Sequence, residues 1–153
     1  MTDQPAYDVE VSRLVDGPRD RVFHAFVDAV EFSQWYGPPG FPVPFDTVEI
    51  EPRTGGRHRF AMVGAADPSM RTTFDGRFTE LIPDQILASS GTWSGIPGPD
   101  AGWVSNLRVE LHDEDGKTRL LLREGPHPTG TIDLGRQAWE LMLPRLEALV
   151  SGG

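Results

Sequence analysis

The stretch VFHAFVDAVEFSQWYGP, residues 22–38, decides the fold of this chain. It follows an alternating, strand-like segment, residues 7–15, and precedes a glycine pair, Gly55-Gly56. Four apolar residues fall at i, i+1, i+4 and i+5 from Val22, which is typical of one face of a helix. The pattern predicts a helix over residues 19–28 and a short one over 29–34, since Gly37-Pro38 cannot continue a helix. A strand followed by two short helices and then a hairpin is an uncommon opening for a small domain.

The middle of the chain predicts a sheet. Alternation of apolar and polar residues, interrupted by glycine- and proline-containing turns, indicates antiparallel strands with one face covered and one solvated. Asp115-Gly116 is a hairpin signal between the last two strands. The predicted strands span residues 47–51, 57–63, 71–81, 85–93, 103–112 and 117–124.

A long amphipathic helix is predicted at the end of the chain. Its apolar stripe includes Trp139, Met142 and Leu146, which recur at helical spacing. Thr131 or Asp133 can serve as the N-cap. This order predicts an α+β fold in which a curved antiparallel sheet wraps around the closing helix.

Composition bounds the function. The 153 residues predict one domain, residues 1–153, and the net charge of −9 disfavours nucleic acid as a partner. With no cysteine there is no thiolate nucleophile and no disulfide, and Lys117 is the only lysine, which disfavours Schiff-base chemistry. There is no apolar run long enough for a membrane span and no signal-like apolar segment at the start, so a cytoplasmic location is predicted.

The chain resembles a known family through short motifs that occur in the expected order. They are residues 11–13 (VSR), 22–26 (VFHAF), 35–38 (WYGP), 52–56 (PRTGG), 78–83 (FTELIP) and 118–122 (TRLLL), followed by the closing-helix spacing of Trp139, Leu143 and Leu146. The family is similar to the C-terminal domain of the activator of heat-shock-protein-90 ATPase. It belongs to the START-like helix-grip superfamily (SRPBCC). The resemblance implies a sheet of about six to seven strands, with two short helices after the first strand and a cavity beneath the closing helix.

A ligand cavity between sheet and helix is the first functional hypothesis. Concave apolar pockets with a few polar groups are the usual small-molecule sites. The same residues could equally form a plain core. The predicted ligand-binding residues are Trp35, Tyr36, Phe60, Met62, Phe74, Phe78, Trp93, Trp103, Leu107, Leu122, Trp139, Met142 and Leu143.

Glu124 is the candidate catalytic residue. It shares a strand face with Leu120 and Leu122, which would direct its carboxylate towards the cavity, where desolvation raises a carboxyl pKa and favours acid–base catalysis. The alternative is a solvated or arginine-paired Glu124. His58 is predicted to be a hydrogen-bonded strand residue, and His127 a loop residue or one at the mouth of the pocket. No histidine pair has metal-ligand spacing, so neither a metal nor another cofactor is predicted.

Three functions follow from these patterns. The first is binding of a small, largely apolar molecule, and the second is a cyclase- or hydrolase-like activity in the same cavity, with Tyr36 or His58 near Glu124. The third is a chaperone-linked protein-interaction module or a homodimer, with Tyr36, Phe41, Phe45 and the loop of residues 94–102 as its surface.

Overall fold

A computed structural model describes residues 7–95 and 102–151 of the chain. Seven strands, three α-helices and one 3₁₀ turn make up this part. Their bounds are β1 Val9–Val15, α1 Arg19–Val27, α2 Ala29–Trp35, the 3₁₀ turn Phe45–Thr47, β2 Glu49–Ile50, β3 Arg57–Val63, β4 Arg71–Ile82, β5 Ile86–Ser94, β6 Trp103–Glu114, β7 Lys117–Gly125 and α3 Ile132–Ser151.

The strands form a single antiparallel sheet in the order β1-β7-β6-β5-β4-β3-β2. The first strand therefore pairs with the last, with Val9 opposite Glu124 and Val15 opposite Thr118. The predicted α+β helix-grip architecture is confirmed: one curved sheet carries the helices on its covered face.

Two glycines in register open the covered face of the sheet at its centre. Gly76 of β4 pairs with Gly91 of β5, and the Phe74 ring lies over both. A Cβ atom on Gly91 would come within 2.7 Å of Cζ of Phe74, so the ring can occupy this place only because the side chain is absent. The pair therefore admits a large aromatic ring close to the backbone of the sheet.

The two short helices close one end of the sheet around Trp35. Asp28 separates them and caps α2, because its carboxylate accepts a hydrogen bond from the Glu31 amide at 3.0 Å. The Trp35 indole is fully buried and donates to the Ala25 carbonyl at 2.8 Å, which satisfies its only polar atom. This corner positions Tyr36, the next residue, at the interior.

The closing helix α3 buries one stripe against the sheet and the short helices. The buried residues are Trp139, Met142, Leu143, Leu146 and Val150. Polar contacts fix its ends and sides: Glu147 accepts from Arg13 at 2.6 Å, and Arg145 donates to the Gly37 carbonyl at 2.7 Å. Thr131 immediately precedes α3, Asp133 lies in its first turn, and the helix continues past Pro144 to Ser151.

One predicted strand is much shorter than expected. Residues 47–51 were predicted as extended, but β2 covers only Glu49–Ile50. The Thr47 amide instead bonds to the Pro44 carbonyl at 3.0 Å and closes the 3₁₀ turn. Within the described residues, no helix has the length and apolar character needed to cross a membrane.

Candidate functional site: a buried cavity between sheet and helix

A cavity lies between the covered face of the sheet and helices α1, α2 and α3. Seven of its lining residues are phenylalanine, tyrosine or tryptophan, and the others are mainly polar. The lining residues are Phe26, Phe32, Tyr36, His58, Phe60, Phe74, Ser89, Trp93, Ser105, Asn106, Leu107, Glu124 and Trp139. The space for the centres of water-sized molecules is about 20 Å³. About 10–15 Å³ by this measure holds one water, so the cavity has room for a water or a similarly small group.

Six of the predicted ligand-binding residues line this cavity: Tyr36, Phe60, Phe74, Trp93, Leu107 and Trp139. The other seven lie around it. Trp35 and Leu122 are buried in the core, Phe78 stacks on His58 at 4.7 Å, and Trp103 stacks on Trp93 at 6.3 Å. Met142 is buried with its sulfur 3.1 Å from the Gly37 amide, Leu143 lines a separate groove beside β1, and Met62 is half-buried on β3.

Besides Glu124, the candidate catalytic residue, six lining residues were not among the predicted ligand-binding residues. Phe26 and Phe32 come from α1 and α2, whose apolar faces indicated core rather than a cavity wall. His58, Ser89, Ser105 and Asn106 come from the strands. A sequence signal for two of them exists, since Ser89 and Ser105 fall at inward positions of alternating strands, where an apolar residue is expected.

Strand pairing explains how these polar groups meet. Ser89, Leu107 and Glu124 are aligned in register across β5, β6 and β7. A neighbouring row runs from His58 through the Gly76 and Gly91 backbones to Ser105. His58 and Ser105 therefore stand on the two sides of the glycine pair, over which the Phe74 ring lies.

Glu124 faces inward, as the strand alternation predicted, and is 8% exposed. Its Oε1 atom accepts a hydrogen bond from the Trp139 indole at 2.9 Å and lies 3.1 Å from Nε2 of His127. Its partners are therefore an indole and an imidazole. The alternative prediction was a Glu124 that is solvated or paired with an arginine. The hydrogen bonds that the Glu124 carboxylate makes with described residues all involve Oε1. Its Oε2 atom has no such partner.

His127 lies between two carboxylates behind the cavity wall. Its Nδ1 atom is 2.6 Å from Oδ1 of Asp8, and its backbone amide donates to Oδ2 of the same residue at 2.7 Å. Burial alone lowers the pKa of His127, but the hydrogen bonds to Glu124 and Asp8 outweigh it and raise the pKa above the ordinary 6.5. In the same way, burial opposes ionisation of Asp8, yet the bonds from His127 hold its pKa below 3.8. The raised pKa of His127 favours the imidazolium form, which donates from both nitrogens and bridges the two carboxylates.

The closing helix leaves room for this imidazole at Gly135. A Cβ atom there would lie 2.7 Å from Nε2 of His127, whose side chain is only 8% exposed and is held on both sides. Glycine in the first turns of α3 is therefore required by the contact between His127 and Glu124, and not by the conformation of the helix.

Replacement of Gly135 with alanine tests this packing. Alanine normally stabilises a helix interior by about 1 kcal/mol relative to glycine, but here we expect a loss of about 1–3 kcal/mol because the methyl group displaces the imidazole. Urea denaturation measures the change. The same substitution in a His127→Ala background should be stabilising relative to His127→Ala alone, and destabilisation in both backgrounds would contradict this explanation.

Two further titratable groups line the cavity. Burial and the nearby Glu124 carboxylate raise the pKa of Tyr36 well above 10.0, so its phenol remains protonated. Burial lowers the pKa of His58 from 6.5 to about 4, so its imidazole is neutral at pH 7. The expectation that His58 is hydrogen-bonded is wrong for Nδ1, which is buried and has no partner among the described residues.

Three polar atoms on the cavity wall have no hydrogen-bond partner within the described part of the chain. They are Nδ1 of His58, Oγ of Ser89 and Oγ of Ser105, in side chains that are 1–3% exposed. A buried polar group without a partner costs about 1–3 kcal/mol. All three atoms belong to residues that line the cavity.

One residue of the predicted interaction surface is buried. Tyr36 is 6% exposed and lines the cavity, so it is not available to a protein partner. Phe41 is half-buried and Phe45 is exposed. Most of the loop that completes this surface, residues 96–101, lies outside the described residues.

The sequence was compared with models of protein families. The family described as Activator of Hsp90 ATPase homolog 1-like protein matches residues 16–151. The chain belongs to this family. The match includes every described element except β1, and it covers all thirteen lining residues as well as His127, so the cavity is built within the Activator of Hsp90 ATPase homolog 1-like domain.

Solved structures of similar proteins share this fold. A protein from Chromobacterium violaceum is 24% identical, with a TM-score of 0.80 over 94% of this chain and 96% of that one. A protein from Arthrobacter aurescens is 19% identical, with a TM-score of 0.77 over 94% of this chain and 86% of that one. A protein of the same family from Silicibacter pomeroyi is 22% identical, with a TM-score of 0.74 over 92% and 94%. These likenesses concern the fold alone.

A curated relative is the protein named oxidoreductase ptaL from Pestalotiopsis fici. It is 26% identical over an alignment of 141 residues that covers 89% of this chain and 34% of the relative. The chain therefore spans about a third of the length of that protein.

Proposed function

We propose that this Activator of Hsp90 ATPase homolog 1-like chain binds a small molecule in the cavity between the sheet and α3. The observation that carries the proposal is the convergence of aromatic walls with three unpartnered polar atoms, on His58, Ser89 and Ser105. Small-molecule sites combine a predominantly apolar lining with a few placed polar groups.

The size of the cavity limits the ligand. Drug-sized ligands occupy clefts of about 300–1,000 Å³. The space here, about 20 Å³ for the centres of water-sized molecules, admits only a small group unless the walls move. We therefore propose a compact ligand, or a larger one of which a small polar end enters the cavity while side chains such as Trp93 shift to admit the remainder.

Native mass spectrometry of freshly purified protein, combined with a ligand-observed NMR screen of small fragments, tests the proposal. We expect a co-purifying small molecule or saturable fragment binding. A Ser105→Val variant should weaken it because the added methyl groups fill the cavity from β6. Val104→Ile is the matched control, since Val104 is the preceding residue of the same strand and its side chain is 57% exposed on the opposite face.

The proposal fails if neither method detects a bound molecule. It also fails if Ser105→Val and Val104→Ile leave fragment binding equally unchanged, because the binding would then lie elsewhere on the protein.

A second candidate is acid–base catalysis in the same cavity. The observation that favours it is that Glu124, Tyr36 and His58, three titratable groups, line one small space. In this proposal Glu124 exchanges a proton with the bound molecule, and the protonated Tyr36 phenol donates a hydrogen bond to it. If a turnover activity is found, a Glu124→Gln variant that retains the full rate would reject this role.

A further inference from the structure

We propose that the cavity recognises the ammonium group of a small amine, an inference that rests on the proposed ligand binding in this cavity. It deepens that function by naming the chemical class of the ligand. Four properties of the cavity favour this ligand: the charge of its lining, its hydrogen-bonding groups, its aromatic faces and its size.

The charge of the site favours a cation. Among the described lining residues there is no arginine or lysine, and Glu124 is the carboxylate that faces the space. His127 lies between Asp8 and Glu124, so two carboxylates flank the one imidazole behind the cavity wall. The whole chain, with a net charge of −9, also favours the approach of cations.

The hydrogen-bonding groups of the site can act as acceptors. Trp139 and His127 occupy Oε1 of Glu124, which holds the carboxylate in place and leaves Oε2 without a described partner. The Ser89 and Ser105 hydroxyls and the neutral His58 imidazole each offer a lone pair. A primary ammonium group carries three N–H donors and no acceptor, so it matches a site of this composition.

The remaining walls are aromatic. They come from both layers: Phe26, Phe32, Tyr36 and Trp139 lie on the helix side, and Phe60, Phe74 and Trp93 lie on the strands. The electron-rich face of an aromatic ring attracts an organic cation, most strongly where water is excluded. A carboxylate ligand, in contrast, would meet Glu124 and the same negative ring faces and find no positive partner in the lining.

The size of the cavity agrees with this ligand class. An ammonium group is close in size to a water molecule, and the space has room for about one such group. An alkyl substituent would then lie against the aromatic rings, where its burial is favourable.

Three matched probes test the inference: ethylammonium chloride, ethanol and sodium acetate, titrated into ¹⁵N-labelled protein, with sodium chloride as the salt control. The reporter is the indole N–H signal of Trp139, because this group donates directly to Glu124. We expect a saturable shift with ethylammonium, binding about tenfold weaker or less with ethanol, and no saturable shift with acetate.

A pair of variants assigns the effect to the carboxylate. Glu124→Gln keeps a side-chain oxygen for the Trp139 indole but removes the negative charge, so we expect it to lower ethylammonium affinity about tenfold or more. Glu140→Gln removes the same charge from an exposed position of α3 outside the cavity lining, and it should bind ethylammonium like the parent. The probe series on the parent protein tests the preference for an ammonium group even if the Glu124→Gln variant does not fold.

Each outcome separates this inference from the proposed function. Ethanol or acetate binding as tightly as ethylammonium would overturn the amine inference and leave ligand binding intact. The same conclusion would follow if all three probes failed while neutral fragments bound in a Ser105-dependent manner. If neither the probes nor any fragment bound, both proposals would fall.

Discussion

Replacement of Trp139 with alanine is expected to lower the free energy of unfolding by about 3–5 kcal/mol. Trp139 is 2% exposed and lies at the point where α3 meets the short-helix corner, with its ring 5.6 Å from Tyr36 and 6.5 Å from Trp35. The substitution creates a void among rings that cannot collapse freely, and it also removes one donor to the buried Glu124 carboxylate. Chemical denaturation followed by circular dichroism measures the loss.

Two further variants on the same helix serve as comparisons for Trp139→Ala. Leu141→Ala lies two residues away on the solvent side, where Leu141 is 53% exposed, and should change stability by no more than about 0.5 kcal/mol. Trp139→Phe retains most of the apolar volume but lacks the indole N–H, so about 1–3 kcal/mol should be lost because Oε1 of Glu124 keeps only its contact with His127 and the smaller ring leaves a void. A Trp139→Ala protein as stable as Leu141→Ala would contradict the assigned position of the ring.

Replacement of His58 with phenylalanine is expected to remove an acid sensitivity of the fold. The pKa of His58 is lowered by burial from 6.5 to about 4, so between these values the unfolded chain binds a proton that the folded chain does not. Stability therefore falls as the pH decreases through this window. Between pH 6.5 and pH 5 the loss from this one group is about 2 kcal/mol, and the phenylalanine variant should not show it.

Urea denaturation at pH 6.5 and pH 5 measures how far the free energy of unfolding falls between the two pH values in the parent and in His58→Phe. Phe78→Leu is the control, because Phe78 stacks on His58 and carries no titratable group, so its replacement should lower stability equally at both pH values. His127 does not interfere in this window. Its pKa is raised, so its contribution is complete below pH 6.5 and is lost as the pH rises through the raised value. If the free energy of unfolding of His58→Phe fell as much as that of the parent between pH 6.5 and pH 5, the acid sensitivity could not be assigned to His58.

The regular elements were predictable because their residues repeat with the period of a helix or a strand. The stripe of Trp139, Met142 and Leu146 gave the closing helix, and alternation gave β3 with both ends correct and β4 to β7 within about two residues. The exception, β2, depends on a competing 3₁₀ turn at Thr47. Local hydrogen bonding decides between these two conformations, and the apolar pattern is compatible with both.

The candidate site was predictable only in part. The inward direction of Glu124 followed from its position two residues after Leu122 on an alternating strand. Its partners did not, since Trp139 is 15 residues away on the closing helix, and Asp8, the second carboxylate on His127, is 119 residues from that histidine. Gly135 allows the contact of His127 with Glu124 for a reason visible only in space. Likewise, nothing local distinguishes the unpartnered hydroxyls of Ser89 and Ser105 from satisfied ones.

The order of the elements, the faces that they bury and hence the helix-grip fold follow from the hydrophobic periodicity of the chain, because this periodicity is a local property that burial enforces. Tertiary structure alone decided the size of the cavity, the polar atoms left without partners in it, and the bridge from Asp8 through His127 to Glu124. These features depend on distances between strands and helices that are remote in the chain, and a difference of an ångström in such a distance decides whether a space is filled, holds water or admits a ligand.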